Sequence, residues 1–450
     1  MQIVAVPATG LRWLEVILTE RFGHEWLIEP AAQGLILKLK GSEGAVTFDQ
    51  LVHSFFQSRS DLPLTHWDVE AEGWESVLGA SLSAPGAVCL AHPLIERQGI
   101  NHVIHYDIMG LTYWMLSRQE EVGCSDLDKH GRFPAKSSHA YKHGYLERPI
   151  VDEWLHILGQ VIQRQWPCIK LKQHQFQIRV SHDVDIPSHY GFYNTKRFIY
   201  AVGGDIIKRC DLKSVLFAPW IRFNTKRTLH PQDLYNTFDW IMDVSEQHGL
   251  TSAFYFICGG NTTQDADYQP EHPAIRALMR RIHERGHEIG LHPSYSTYQN
   301  PEAIVQEAKR LQRICKEEGI EQEVWGGRMH YLRWEHPTTL YGWEQAGMGY
   351  DSTLTYADHP GFRCGTCLEY PAFDPVKKKM LNVRLRPLVV MESSVIAEYY
   401  MGLGYSKQAL ETFLTFKESC RKVNGDFTLL WHNSHFTNKQ DKRLYQDIIA

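Results

Sequence analysis

The sequence lacks long apolar runs, a secretory leader and an excess of either charge. No stretch of about 18 consecutive apolar residues occurs, so we expect no transmembrane helix. The N-terminal segment has neither the basic start nor the continuous apolar core of a signal peptide, so we expect a cytoplasmic protein, with peripheral attachment to the inner membrane as the alternative. The 450 residues include 47 Lys and Arg against 52 Asp and Glu, and the net charge of −5 argues against a general binder of nucleic acid.

Cysteines are few and mostly isolated, which argues against a disulfide framework. The chain has nine, and an odd number of scattered cysteines is typical of reduced thiols in the cytosol. Cys364 and Cys367 form a single CxxC pair, whereas a zinc ribbon needs a second such pair. We therefore interpret the pair as part of a tight turn, with a redox pair as the alternative.

The chain changes character near residue 170. Beyond about residue 177, short β-rich runs alternate with amphipathic segments, several of which begin at Pro or end before Gly. This alternation predicts parallel strands with helical crossovers, closed into an incomplete (β/α) barrel or left as an open sheet. The predicted strands span residues 177–185, 252–257, 287–292, 324–330, 349–354, 383–391 and 427–433.

Length and pattern together predict two domains. A chain of 450 residues is too long for one ordinary domain. Residues 1–165 mix strands such as 34–39 with helices such as 108–119 without regular alternation, and we predict a smaller α/β domain there, followed by a second domain over 170–450. Residues 186–233 form a long insertion rich in aromatic and basic residues, as expected of a lid or wall over a site.

Two carboxylates lie at the end of the first predicted strand of the second domain. Asp183 and Asp185 are two residues apart in SHDVD, so both side chains lie on one face of an extended chain. Two carboxylates on one face repel each other unless a cation or a proton lies between them. The pattern predicts one metal ligand and one general base; a turn Asp followed by a surface Asp is the alternative.

Polar side chains follow other predicted strands as well, at the ends that parallel strands bring to one edge. His292 ends the run HEIGLH and is a candidate metal ligand. His287 begins that run, and we expect it to make a structural hydrogen bond. Arg328 can keep a carboxylate ionised through a bidentate pair, with an ordinary salt bridge as the alternative. His432 follows the apolar run LLW, as a general acid with a tunable pKa would.

In order and spacing these residues resemble the polysaccharide deacetylase family, the NodB-homology carbohydrate esterases, and within it the WbmS-type branch. Five motifs across residues 175–436 carry the resemblance: SHDVD, HEIGLHPS, GGRMHYLR, YDSTLTYADHPGFRCGTC and LLWHNSH. The N-terminal stretch that includes YDIMGLTYWMLSRQEEV resembles a domain of unknown function that precedes the catalytic domain in this branch. The resemblance implies a distorted (β/α)7 barrel preceded by a smaller α/β domain.

The resemblance also implies a metal-dependent hydrolase that removes an N-acetyl group from a sugar or glycan intermediate in surface-polysaccharide biosynthesis. The expected ligands are Asp185 and His292, and the expected ion is Zn²⁺. Four further residues are expected to carry the acid–base chemistry: the base Asp183 with its partner Arg328, and the acid His432 with its partner Asp351.

One position departs from the family pattern. The second motif of the family has a further His four residues after the first, whereas this chain has Ser296, and Ser is a poor neutral ligand for zinc. Either His330 or His189 completes the site, or a water-rich site binds a harder ion, or the protein is a catalytically inert carbohydrate-binding relative. A hydrolase of a non-sugar amide is a further alternative.

Overall fold

The computed structural model describes residues 6–32, 34–51, 54–55, 58, 60–209, 212–260 and 262–450. The chain forms two compact units. The first comprises Met1–Gln177, Leu354–Val389 and Thr415–Phe427, and the second comprises Ile178–Thr353, Val390–Leu414 and Thr428–Ala450. The two consecutive domains expected from the sequence, 1–165 and 170–450, stay a prediction; in the structure, two later segments group with the first unit. Such long-range grouping leaves no local pattern in a sequence.

The first unit combines a five-stranded sheet, a two-stranded sheet and four helices in the described part of its N-terminal segment. The sheets are formed by Trp26–Pro30, Gly34–Leu39, Val46–Asp49, Asn101–Ile104 and Ile95–Gln98 in that order, and by Leu64–Asp68 with Ser81–Pro85. Tyr370–Asp374 and Lys379–Leu385 add an antiparallel hairpin. The helices span Ala8–Phe22, Ile108–Leu116, His139–Lys142 and Ile150–Gln165.

The second unit contains the predicted parallel strands, which confirms an α/β fold with a large parallel sheet. We number its strands along the chain as β1 (Gln177–Val184), β2 (Ser252–Ile257), β3 (Glu288–His292), β4 (Gly326–Gly327), β5 (Tyr350–Asp351), β6 (Val390–Met391) and β7 (Asp426–Leu430). Their order in the sheet is β6-β7-β1-β2-β3-β4-β5. The pairs β1–β2, β2–β3, β3–β4, β4–β5 and β6–β7 are parallel, so the carboxyl ends of these strands lie at one edge.

The helices of the second unit follow from local sequence chemistry. All six residues of β2 are buried, as expected of a strand covered on both faces by crossover helices. Asn300 caps the helix Pro301–Glu317 by accepting from the Ala303 N–H, and Pro301 occupies the first helical position. The remaining helices of the described residues, including one that crosses the unit boundary, span Thr195–Gly204, Leu212–Asn224, Phe238–Gln247, Pro273–Glu284, Thr338–Gln345, Glu392–Ile396, Lys407–Lys422 and Lys439–Ile449.

One predicted strand is wrong. The run 383–391 is two elements: it contains the end of Lys379–Leu385 in the first unit and all of β6 in the second. Pro387 interrupts the run, because proline has no N–H to donate to a strand ladder. The other predicted strands of this series are present, although the fourth and fifth are reduced to two residues each.

The described cysteines are free thiols, and the insertion forms helices, although its role as a lid or wall over a site stays a prediction. Every cysteine in the described part of the chain has a free thiol, and Cys364 and Cys367 lie buried in a turn; Cys210 lies outside the described residues. The insertion after β1 forms two helices, which we call α1 (Thr195–Gly204) and α2 (Leu212–Asn224). Within the described residues, no helix is both long enough and apolar enough to cross a membrane.

Candidate active site

The ends of β1, β3 and β4 bring four predicted site residues of the second unit together. Asp183 is the penultimate residue of β1 and Asp185 directly follows that strand, while His292 is the last residue of β3. Arg328 directly follows β4, which pairs with β3 through Leu291 and Gly327. Parallel pairing places these carboxyl ends side by side, so the four side chains converge on one point.

Arg328 holds Asp183 in a buried ion pair. The Arg328 Nη1 donates to Asp183 Oδ1 at 2.8 Å, and Nη2 donates to Ser181 Oγ at 2.9 Å. The Nε donates to the Ser352 carbonyl oxygen at 2.9 Å, so each guanidinium nitrogen has an acceptor. Arg328 is 1 % exposed, and a buried charge pair of this kind is stable only when such extra hydrogen bonds compensate for lost hydration. The pair leaves Asp183 Oδ2 facing His292, with 3.7 Å between Oδ2 and Nε2.

Asp185, His292 and His330 form a cluster with the composition of a metal site. The Asp185 Oδ1 lies 3.2 Å from His292 Nε2 and 3.6 Å from His330 Nε2. One ligand atom from each of the three residues lies within 4.8 Å of the others. Asp185 Oδ1 is buried without a hydrogen bond of normal geometry, and a buried carboxylate oxygen aimed at two imidazole nitrogens fits a divalent cation. One carboxylate and two imidazoles form a donor set that suits Zn²⁺ or a similar ion.

Both imidazoles are oriented by partners behind them. His292 Nδ1 lies 2.6 Å from the Arg328 carbonyl oxygen, and since a carbonyl can only accept, Nδ1 carries the proton and Nε2 is left with its lone pair. His330 Nδ1 faces Asp265 Oδ1 at 3.6 Å, and Asp265 is itself held by the Tyr295 N–H at 2.8 Å. Partners of this kind fix the tautomer and direction of a metal-binding histidine.

The backbone around His330 is strained where it turns toward the cluster. Tyr331 and Leu332 have φ of 60° and 56°, in the left-handed region that residues with a Cβ rarely occupy. Strain of this kind costs of the order of 1–3 kcal/mol per residue and collects at functional sites. It places the buried His330 ring 4.9 Å from the His292 ring, measured between centroids.

The pKa values of the cluster reflect competition between burial and charge. Burial alone would raise the pKa of Asp185, but the charge of His330 and the two imidazole nitrogens close to the carboxylate outweigh this effect, and the pKa lies well below its usual range. Burial opposes charging of His330, yet the Asp185 and Asp265 carboxylates raise its pKa to about 9. Without a metal the cluster therefore holds a proton between its carboxylates, which is the alternative to a cation.

His432 lies on the opposite side of Asp185 and is oriented by Glu392. His432 Nδ1 is 2.6 Å from Glu392 Oε1, and His432 Nε2 is 3.7 Å from Asp185 Oδ2. Burial opposes charging of His432, but the Glu392 charge and hydrogen bond raise its pKa to about 10. His435 Nδ1 contacts the same Glu392 oxygen at 2.7 Å. Glu392 therefore holds two histidines, one facing the cluster and one half-exposed.

Asp351 does not have its predicted partner. The sequence predicts that Asp351 orients His432, but the carboxylate in contact with His432 belongs to Glu392. Asp351 Oδ1 instead accepts from the Thr353 N–H at 2.9 Å and from the Thr353 hydroxyl, and Thr353 Oγ1 accepts from the Met329 N–H at 3.0 Å. Burial raises the pKa of Asp351 to about 6. Asp351 thus supports the backbone beside Arg328.

Sequence reasoning missed Glu392 and left the third ligand open. Glu392 directly follows β6, so a carboxylate after a buried strand was the available signal, but the predicted run 383–391 merged two elements. Among the alternatives for the third ligand, the structure brings His330 to the cluster. His189 Nε2 bonds to Asp205 at 2.7 Å in the insertion, and Ser296 is exposed before a short 3₁₀ turn.

A cavity of about 370 Å³ opens beside Glu392 and His435 in the second unit. Its wall mixes tyrosine rings, small apolar side chains and hydroxyl and carboxyl groups, and it is lined by Ile186, Tyr235, Glu392, Ser393, Ile396, Ala397, Tyr399, Tyr405, Ser434, His435, Thr437 and Asp441. A concave surface with a few convergent polar groups is the usual form of a small-ligand site. No Lys or Arg is among these described lining residues, so the wall favours a neutral ligand over a phosphorylated one.

One protein family and several solved structures are similar to parts of this chain. Residues 13–167 match a family of unknown function, DUF7033. No curated protein matches the chain. Among solved structures, Puue allantoinase is similar at a TM-score of 0.36 and 12 % identity, over 61 % of this chain and 83 % of that one. A probable polysaccharide deacetylase from Pseudomonas aeruginosa PAO1 is similar at a TM-score of 0.34 and 14 % identity, over 61 % of this chain and 84 % of that one. Similarities of this size carry no inference about activity, which must come from the site.

Proposed function

We propose that the second unit is a metal-dependent amide hydrolase that removes an N-acetyl group from a sugar in surface-polysaccharide biosynthesis. The observation that carries the proposal is one constellation: Asp183, held by Arg328, and His432, held by Glu392, both lie against the Asp185–His292–His330 cluster. A candidate base and a candidate acid beside one metal site are the arrangement that hydrolysis of an amide requires.

Asp185, His292 and His330 would hold the metal, with Zn²⁺ as the expected ion. A divalent cation at this point would supply Lewis-acid polarisation of the amide carbonyl and would make water more acidic. The alternative of an inert relative rested on Ser296. His330 weakens that alternative, because it offers a second imidazole from a different loop.

Asp183 would act as the general base. Its Oδ1 accepts from Arg328, while Oδ2 faces the cluster and is placed to take a proton from the attacking water. The oxygen of that water then forms a bond to the acetamido carbon. The Met329 N–H is satisfied by Thr353, so backbone stabilisation of the developing oxyanion would come from another donor.

His432 would act as the general acid. Its Nδ1–H donates to Glu392, which leaves Nε2 directed toward Asp185 Oδ2 and the centre of the site. The Nε2 proton passes to the departing nitrogen as the C–N bond breaks, and the products are acetate and a free amine. Glu392 stabilises the charged imidazolium before the transfer and fixes the ring during it.

We further propose that the chain is a WbmS-type member of the polysaccharide deacetylase family, with a distorted (β/α)7 barrel over about residues 170–450. The domain over residues 1–165, the cytoplasmic location and the glycan-intermediate substrate belong to the same proposal. The tyrosine-lined cavity beside Glu392 supports a sugar ligand, since it offers flat apolar rings together with hydroxyl and carboxyl groups.

Acetate release from N-acetylated oligosaccharides tests the proposal. Asp183→Asn should lower kcat/KM by a factor of roughly 10²–10⁴, the usual worth of a general base, with metal content and circular dichroism unchanged. Asp243→Asn, an exposed carboxylate on a neighbouring helix, is the matched control and should retain full activity. N-formyl amides and a cyclic ureide, assayed in parallel, separate a sugar deacetylase from a hydrolase of other amides. Glycan binding without acetate release by the metal-loaded protein would contradict the proposed activity.

A further inference from the structure

The insertion after β1 builds a helical hairpin, defined here by the described residues 195–209 and 212–227, whose inner side is apolar. Its core is a cluster of buried residues with partly buried neighbours: Tyr190, Ala218 and Ile221, packed against Phe198, Ala201, Val202 and Phe217. Arg222 joins the two helices, because its Nη2 donates to Thr195 Oγ1 at 3.2 Å and its guanidinium lies over the Phe198 ring. The hairpin therefore has a packed inner face, and its outer face can be identified by exclusion.

The outer face of α2 is also apolar, and it is exposed. Leu216, Trp220 and Phe223 lie at positions i, i+4 and i+7, which places them on one side of the helix. They are 80 %, 61 % and 69 % exposed. Within the described residues, Trp220 is the only exposed Trp and Phe223 the only exposed Phe, so this stripe differs from the rest of the surface.

The first half of the hairpin continues the same character. Ile199 and Tyr200 are exposed on α1, and Ile206 and Ile207 are exposed on the π-helical segment Asp205–Arg209 that follows it. Seven large apolar side chains are thus exposed within 25 consecutive residues, 199–223. Patches of this density on a folded protein mark surfaces that meet a partner or a membrane.

The charge of the hairpin is opposite in sign to that of the whole chain. Residues 195–227 contain eight Lys and Arg and two Asp, in a chain whose net charge is −5. One of the two acids, Asp205, is buried and accepts from His189 Nε2 and the Tyr190 hydroxyl, so it contributes little to the surface. Lys196, Lys226 and Arg227 are exposed at the start of α1 and just after α2.

We propose that this hairpin docks the protein on the surface of an anionic lipid membrane. Large apolar side chains including a Trp, flanked by Lys and Arg, are the composition of helices that lie in the interface plane of a bilayer. Anionic headgroups attract each nearby basic side chain, and the apolar stripe of α2 then enters the boundary between headgroups and acyl chains. A second copy of the chain fits this surface less well, since two strongly basic hairpins repel each other.

The insertion that carries the hairpin also borders the candidate active site. Ile186, near its start, and Tyr235, just after its end, line the cavity beside Glu392. If the proposed function holds, a docked protein acts on sugars carried by membrane lipids; the docking itself does not depend on the activity. Vesicle binding and acetate release therefore fail or succeed independently.

Co-sedimentation of the full chain with lipid vesicles tests the docking. We expect binding to vesicles with about one-third phosphatidylglycerol in phosphatidylcholine, little binding to pure phosphatidylcholine, and release at high salt. The variant Leu216→Ser with Trp220→Ser and Phe223→Ser should lose at least about tenfold in affinity. The variant Lys196→Gln with Lys226→Gln and Arg227→Gln should lose roughly a hundredfold in affinity for the vesicles, and its remaining binding should depend less on salt.

Matched controls carry the same changes elsewhere on the surface. Val88→Ser with Ile100→Ser removes exposed apolar side chains of the first unit, and Lys309→Gln with Lys316→Gln removes exposed charges of one helix; both should bind vesicles normally. Quenching of tryptophan fluorescence by brominated lipid should disappear in Trp220→Phe. Unchanged vesicle binding by both hairpin variants would overturn the proposal. The proposal would also be overturned if the protein does not bind vesicles and light scattering instead shows a dimer that the serine variant dissociates.

Discussion

Replacing His330 by Ala tests which residue completes the metal site. The structure places His330 Nε2 3.6 Å from Asp185 Oδ1, whereas His189 is bonded to Asp205 and Ser296 is exposed. Replacing His330 should therefore weaken metal binding strongly, whereas replacing His189 or Ser296 should leave metal binding unchanged.

The magnitude follows from the energy of metal binding. Four-ligand zinc sites bind with about 10–16 kcal/mol, so one ligand contributes about 2.5–4 kcal/mol. A loss of that size raises Kd by a factor of roughly 60–700. Asp265→Asn leaves the ligand in place and removes only the negative charge that faces its Nδ1, so a smaller loss of affinity, about 10–100-fold, is expected.

Competition with a chromogenic chelator measures Kd, and elemental analysis gives metal content after purification. We expect His330→Ala to lose the metal while His189→Ala and Ser296→Ala retain it, with all three variants folded by circular dichroism. A variant at 330 that binds metal like the parent protein, together with loss at 189 or 296, would refute the assignment of the third ligand.

Three further predictions concern single side chains. Arg328→Ala leaves a buried carboxylate without its partner and should lower the free energy of unfolding by about 3–5 kcal/mol, measured in urea; an unchanged midpoint would contradict the buried pair. Glu392→Gln should lower kcat/KM by about 10–100-fold and move the alkaline limb of the pH profile downward, because the carboxylate raises the pKa of His432, whereas Asp351→Asn should leave that limb in place. Burial raises the pKa of Asp107 from 3.8 to about 6, so the folded state binds its proton more tightly than the unfolded state. Its stability contribution is present below pH 4 and is lost as the pH rises through about 6, a change of about 3 kcal/mol that Asp107→Asn should remove from the pH dependence of unfolding; parallel curves for the two proteins would contradict it.

Strand ends could be found from the sequence because they depend on local patterns. Asp183, Asp185, His292 and His432 each end or follow an apolar run, and parallel pairing is sufficient to bring such positions to one edge. The structure does place these four side chains around one centre, with Arg328 beside them.

The remaining site residues depend on long-range packing. His330 became a member of the cluster through a left-handed turn at Tyr331 and Leu332, which no periodicity predicts. Glu392 was hidden because Pro387 divides what looks like one continuous strand between the two units. The grouping of residues 354–389 with the first unit likewise depends on contacts between distant segments, such as the buried pair of Arg363 with Glu121 at 2.6 Å.

Anomalous X-ray scattering from crystals of the protein purified without chelator tests the central claim most directly. We expect a single strong peak within about 2.0–2.2 Å of His292 Nε2, His330 Nε2 and a carboxylate oxygen of Asp185. A peak at Glu392 and His435 instead, or none at the three predicted ligands in zinc-supplemented crystals, would contradict it.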